Sequence, residues 1–135
     1  MRPKNTKFNK YHRVKVKHAH KISPVLYTAG LICLEPYIIT DKQIETILLR
    51  VKRILKRRGK IILRVFPHSS RTRKPIQTRM GKGKGSIEGW EQAVKAGSVI
   101  IEIRLKGETS DLLARNALES IKTKLPFSSK VINKV

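Results

Sequence analysis

Acidic residues are missing from two long stretches of this chain, and their absence limits both what it can fold into and what it can lie against. No acid precedes Glu35, while eight Lys or Arg lie between Arg2 and Lys21, together with His12, His18 and His20. A second acid-free stretch runs from Thr46 to Ile87, 42 residues that hold 14 Lys or Arg. Six of the nine acids (Glu88, Glu91, Glu102, Glu108, Asp111 and Glu119) follow residue 87, so the last third is nearly balanced. The formal charge is +22, against about 2–8 in magnitude for an ordinary small domain. Such an excess repels itself in a compact state unless an anion neutralises it. One strongly positive side and one ordinary side are expected, with nucleic acid as the leading partner.

The 135 residues suit one domain, 1–135, and the 39% of apolar residues suffice for a core. Residues 1–13, MRPKNTKFNKYHR, hold few apolar groups and read as an extended basic arm. The stretch has no helical apolar face, and Pro3 argues against a helix start, which weighs against a targeting peptide. A single Cys excludes an intramolecular disulfide and fits a reducing compartment. Cys33 sits in an apolar run and is expected to be a buried, inert thiol. No apolar stretch approaches about 18 residues, so no membrane-spanning helix is expected.

Val14 to His20 alternates as a half-buried strand does, and Tyr27 to Glu35 forms a second apolar run that Pro36 stops. Thr40 and Gln43 form a capping-box pattern. Ile44, Ile47, Leu48, Val51, Ile54 and Leu55 then follow at helical spacing, with Gly59 at the expected C-terminal cap. Lys60 to Phe66 reads as a strand, His68 to Lys74 as a polar basic loop, and Pro75 to Met80 as a short strand. Gly81 to Gly85 reads as flexible loop. Ile87–Lys95 and Ser98–Lys106 are predicted strands around a turn at Ala96–Gly97. A second helix follows Thr109 or Ser110, with Leu113, Ala114, Ala117, Leu118, Ile121 and Leu125 as its apolar face and Pro126 ending it. Ser128 to Val135 is a candidate last strand. This order implies an α+β sandwich: a mixed or antiparallel sheet with two packed helices.

The most informative motif is Arg79-Met80-Gly81-Lys82-Gly83-Lys84-Gly85. Alternating glycines allow close backbone approach, and Arg79, Lys82 and Lys84 supply charge for phosphates. The spacing fits neither a Walker A loop nor a dinucleotide fingerprint. In the arm, Phe8 and Tyr11 stand among Lys4, Lys7, Lys10, His12 and Arg13. They suit either stacking on unpaired bases or anchoring the arm to the protein's own core. His18-x-His20 lacks a Cys or carboxylate neighbour, which disfavours a metal site. His68 beside Ser69 and Ser70 has no third partner, and the acids cluster away from the basic blocks, so no enzyme and no cofactor are expected. Trp90 suits a core or loop-anchoring role. A basic module on an anionic membrane surface is the rival, but the apolar face of the first helix looks committed to a core. A helix-turn-helix or zinc pattern for DNA is missing.

In this order the segments are similar to a known family. Pro3-Lys4-x-Thr6-Lys7-Phe8-x-Lys10-x-His12-Arg13, Gly59-Lys60-Ile61 leading to Arg64-Val65-Phe66-Pro67, and Lys74-Pro75 with Arg79–Gly85, Glu88 and Trp90 carry the likeness, and Leu125-Pro126 matches in position. The chain resembles the L-sixteen family of large ribosomal subunit proteins, in its bacterial and organellar branch. The resemblance implies a hammerhead-type α+β fold and binding to large-subunit rRNA beside the aminoacyl-tRNA site, among neighbouring ribosomal proteins. Lys4, Lys7, Phe8, Lys10, Tyr11, His12 and Arg13 are then expected to thread between rRNA helices. Arg50, Arg53, Arg57 and Arg58 would meet phosphates from the first helix, and Arg64, Arg71, Arg73 and Lys74 belong to the same surface. Arg79, Met80, Gly81, Lys82, Gly83, Lys84 and Gly85 would lie nearest bound tRNA. Relatives carry a Gly- and Arg-rich stretch where this chain has Val14–His20. With the abundance of Ile and Lys, and the family opening lying almost at Met1, this points to a mitochondrial member. Plastid and bacterial cytoplasm are the alternatives. No membrane partner, metal or small-molecule substrate is expected.

Overall fold

Hydrophobic residues at two periodicities build a layered α+β body. The computed structural model describes residues 1–16, 25–105 and 110–133. Along the chain come β1 (Ala29–Cys33), β2 (Tyr37–Thr40), α1 (Asp41–Leu55), β3 (Gly59–Leu63) and β4 (Ser69–Arg73). There follow β5 (Ser86–Val94), β6 (Val99–Leu105), α2 (Ser110–Lys122) and β7 (Ser129–Asn133). Among the described residues these strands make two antiparallel sheets, one ordered β3-β6-β1-β7 and the other β2-β5-β4.

The larger sheet is organised by β6. Ile101 and Ile103 lie opposite Leu31 and Ala29 on one side and Leu63 and Ile61 on the other. Both helices pack on that face, against each other and against the sheet. Ile44, Ile47, Val51 and Leu55 of α1 and Ala114, Ala117, Leu118 and Ile121 of α2 are buried there. Each large aliphatic side chain so removed from water contributes roughly 1.5–3 kcal/mol. β6 is buried on both faces except at Arg104. Glu102 on the second face is 0% exposed and, among the described residues, is paired with Arg64, whose Nε stands 3.0 Å from Oε1. Neither carboxylate oxygen has an aligned hydrogen-bond donor.

The capping box forms as read. The Gln43 N–H donates to the Thr40 hydroxyl, and the Thr40 N–H donates to the Gln43 side chain. The other end of α1 differs. The left-handed C-cap is Lys56 (φ 44°), followed by Arg57 (φ 67°), and its N–H reaches the Lys52 carbonyl. Gly59 instead opens β3 against Leu105. A Cβ there would fall 2.2 Å from Leu105 Cδ2 and 2.8 Å from the Arg104 carbonyl oxygen. The glycine is required by close packing of strands and not by a helix end.

Other boundaries also shift. Ser69–Arg73 is a strand where a loop was expected, and β2 emerges between the Pro36 stop and the first helix. Pro75–Met80 is turn and coil, held by the Thr78 N–H on the Pro75 carbonyl at 3.1 Å. The turn after β5 does not fold β6 back onto it. Gly97 (φ 84°) donates to the Cys33 carbonyl at 2.7 Å and carries the chain from the smaller sheet to the larger. Val14–Val16 has no strand, and Lys17–His20, with its His pair, lies outside the described residues, as does Thr109. α2 ends at Lys122, before Leu125 and Pro126, yet Leu125 still joins the core. Among the described residues no helix is long and apolar enough to cross a membrane.

Gly59→Asn separates the two explanations for that glycine. Asn is tolerated at a left-handed cap, whereas overpacking between strands costs about 1–3 kcal/mol. Chemical denaturation of Gly59→Asn should show a loss in that range; unchanged stability would return Gly59 to a capping role.

Candidate nucleic-acid interface

Two segments far apart in sequence meet on the smaller sheet. Residues 1–16 have no regular secondary structure. They border Asp41 and the start of β5 through Met1–Asn9, and β2 and β4 through Tyr11–Val16. Each anchor is polar. The Met1 ammonium meets Glu45, and the Tyr11 N–H donates to the Ser70 hydroxyl of β4 at 3.2 Å. Two lysines interlock at the same point. Lys10 Nζ donates to the Lys84 carbonyl at 3.2 Å, and Lys84 Nζ donates to the Tyr11 carbonyl.

The interlock sets the glycine–lysine loop against the arm. Gly81 (φ 91°), Lys82 (φ 53°) and Gly83 (φ 87°) all take left-handed backbone, which the two glycines permit without strain. Open space surrounds both glycines. Lys74 Nζ donates to the Gly81 carbonyl at 2.5 Å and ties the base of the loop to the end of β4. Arg79 and Lys82 point into solvent with no ion-pair partner among the described residues, and Met80 is 97% exposed beside them.

The aromatic pair divides the two roles open to it. Tyr11 is half-buried and serves as an anchor; Phe8 is 57% exposed, edge-on to Tyr11 at 6.1 Å, with Lys7 Nζ 5.5 Å above its ring. Lys4, Lys7, Lys10, His12 and Arg13 are exposed. Arg50 and Arg53 are exposed on α1, while Arg57 and Arg58 lie in the turn beyond its cap. They are presented from the turn and not from the helix itself.

Three expected phosphate contacts already have acidic partners. Arg71 and Arg73 flank Glu88 at 3.1 and 3.3 Å, and Arg64 meets Glu102. Hydrogen bonding from Arg73, reinforced by both guanidinium charges, holds the Glu88 carboxyl below the ordinary glutamate range. Burial pushes the Cys33 thiol up, and the thiol donates to the Glu35 carbonyl at 2.7 Å, as suits an unreactive core cysteine. Trp90 is half-buried on β5 opposite Ser70.

Sequence reasoning missed Ser70, Glu91 and the acidic partners. Ser69–Arg73 contains no apolar residue, so hydrophobic periodicity could not detect the strand that presents Ser70. The signal for Glu88 was its position at the end of the acid-free stretch. Among the described residues no group of His, Cys, Asp or Glu is placed to hold a metal.

Taken together, an α+β body with an irregular basic arm docked on a glycine–lysine loop is the build of a ribosomal protein. A profile of the family described as "Ribosomal protein L16p/L10e" matches residues 3–132. The chain is 41% identical over 134 residues to the large ribosomal subunit protein uL16 of Thermosipho melanesiensis, covering 98% of this chain and 92% of the relative. It is 42% identical over 132 residues to uL16 of Kosmotoga olearia (96% and 92%) and 40% identical over 136 residues to that of Ureaplasma urealyticum (99% and 96%). The chain belongs to the L16p/L10e family of ribosomal proteins, a structural and non-enzymatic family.

Two outcomes test this geometry. Lys84→Ala should expose the arm to trypsin after Lys7, Lys10 and Arg13, while Lys82→Ala leaves cleavage rates unchanged; equal effects would dissolve the interlock. NMR titration should place the Glu88 carboxyl below an ordinary glutamate. Because the folded value is depressed, its stabilising contribution is present above the unfolded value and is lost as pH falls through the folded one. An unshifted midpoint would mean that Arg71 and Arg73 do not hold it in solution.

Proposed function

We propose that this chain is a structural constituent of the large ribosomal subunit that binds rRNA through its arm and basic side and presents the glycine–lysine loop toward tRNA at the aminoacyl site. The observation that carries this reading is the docking of the basic arm on the glycine–lysine loop, where Lys10 and Lys84 join segments from the two acid-free stretches. Family membership supports the ribosomal setting.

In this reading residues 1–135 act as one domain, with 1–13 as the arm and 79–85 as the loop. Lys4, Lys7, Lys10, His12 and Arg13, with Phe8 beside them, lie along rRNA. Arg50, Arg53, Arg57 and Arg58 neutralise phosphates from the α1 side. Backbone contacts of this kind recognise RNA shape more than base sequence. Arg64, Arg71 and Arg73 contribute less net charge than their number suggests, because Glu102 and Glu88 offset them. Tyr11 and Lys74 hold the surface together. Arg79 and Lys82 are the loop cations nearest tRNA, with Met80 between them, while Lys84 ties the loop to the arm.

The compartment we propose is the mitochondrial matrix, supported by the departure of residues 14–20 from the usual arm and by the Ile and Lys content. The relatives compared are bacterial, which makes bacterial cytoplasm the competing location. Neighbouring ribosomal proteins complete the partner set; no membrane or small molecule is needed.

Large subunits assembled with an Arg79→Ala, Lys82→Ala double variant should incorporate the protein normally yet bind aminoacyl-tRNA more weakly, by about tenfold if two phosphate contacts of roughly 0.7 kcal/mol each are lost. Equal loss of incorporation and tRNA binding would count against a tRNA-facing loop.

A further inference from the structure

The cleft between arm and smaller sheet contains a group that rRNA backbone binding does not use. Glu91 sits in the middle of β5, opposite Thr40 of β2 and Ser69 of β4. It is 7% exposed, and among the described residues its carboxylate has neither an ion pair nor a hydrogen bond. Its oxygens are not among the fully enclosed atoms without a partner, which belong to Glu102 and Ser129, so they open onto the neighbouring cleft as free acceptors. Glu91 lines a cleft of about 690 Å³, together with Tyr11 and Arg13 from the arm, Arg71 and Thr72 from β4, and Lys84 from the loop. That volume lies within the range of small-ligand sites.

The chemistry of the lining is mixed in a particular way. Arg13 is a cation suited to a phosphate, and Arg71 and Lys84 add to it while shared with Glu88 and with the Tyr11 carbonyl. Tyr11 offers an aromatic face, and Thr72 a hydroxyl. Glu91 can only accept hydrogen bonds while ionised. A nucleotide meets both demands at once, through phosphate at the cationic rim and base N–H groups at the carboxylate. Among the four bases, guanine alone sets a ring N–H and an exocyclic amine side by side, so that both oxygens of one carboxylate are satisfied. Adenine, cytosine and uracil offer one donor group on that edge.

We infer that the cleft between the arm and β2-β5-β4 is a pocket for an unpaired guanosine of RNA, with Glu91 reading the base and Arg13 and Lys84 holding its phosphate. This rests on the RNA-binding reading above and adds a base-specific contact to a surface otherwise governed by charge. The arm forms one wall of the pocket, so the ligand also fastens the arm to the sheet.

The test uses the full chain and short uridine oligoribonucleotides carrying one central guanosine, inosine, adenosine or uridine. Binding is measured by fluorescence anisotropy at raised salt, which suppresses contacts to backbone alone. The guanosine oligonucleotide should bind at least about fivefold more tightly than the adenosine or uridine ones, the low end of one bidentate base contact. Inosine, which lacks the exocyclic amine, should lose most of that preference. Glu91→Gln should bring the guanosine-to-adenosine ratio close to one. RNA binding with no base preference, equal binding of inosine and guanosine, or a preference that survives Glu91→Gln would overturn the pocket. Should the variant fail to fold, the inosine comparison on the unaltered chain decides. Failure to bind any of the oligonucleotides even at low salt would instead count against the RNA-binding reading itself.

Discussion

Mutual repulsion among 31 basic side chains is the constraint around which this molecule is arranged. Only nine acids are available to relieve it, and several stand where cations crowd closest to the body. Glu88 stands between Arg71 and Arg73, and Glu45 meets the N-terminus. Glu102 is placed inside the larger sheet beside Arg64, where removing water makes its charge felt strongly but leaves it expensive to hold. Of the cations left over, those of the arm, Arg50 and Arg53 on α1, Arg57 and Arg58 in its following turn, and Arg79 and Lys82 of the glycine–lysine loop are exposed. Folding docks the first acid-free stretch on the end of the second at Lys10 and Lys84, beside a sheet that also carries Glu88 and Glu91.

The arm and loop do not contribute to that side independently. Lys10 and Lys84 each place an ammonium on a carbonyl of the other segment, 74 and 73 residues away. Using lysines to bond backbone brings like charges together, which is unfavourable in the free protein and becomes favourable when phosphates surround them. Lys82 and Lys84, alike in the sequence, thus separate in role: one is held inward as a structural tie, the other stands on a left-handed backbone in open solvent. Anything that orders the arm on RNA also fixes the base of the loop, and by linkage the reverse holds.

The elements with a strong hydrophobic period were readable from the chain alone. The stripe from Ile44 to Leu55, the Thr40–Gln43 capping box, the alternation of β6 and the apolar face of α2 all give the α+β class without coordinates. The parts that escaped lacked such a period. β4 is Ser-Ser-Arg-Thr-Arg, a strand held only by its partner, and its polarity imitates a loop. The cap of α1 falls on Lys56, because tertiary packing reserved Gly59 for contact with Leu105. β5 and β6 follow one another closely enough to suggest a hairpin, yet bonds from Gly97 and Cys33 send them to different sheets. The charged surface was readable as composition; which cations stay free was not, because that depends on Glu88 and Glu102 reaching particular arginines across the fold. Glu91 carried no sequence signal, since its burial follows from the unforeseen strand beside it.

The central claim is that this basic side exists to bind the RNA of the large ribosomal subunit. The most direct measurement is sedimentation of a native lysate through a sucrose gradient, with the protein followed across fractions before and after a high-salt wash. Co-migration with the large subunit that survives the wash is the expected result, because a threaded arm and a shape-fitted body resist the counterion competition that strips loosely bound cations. Protein left at the top of the gradient, or floating with membranes, would contradict it.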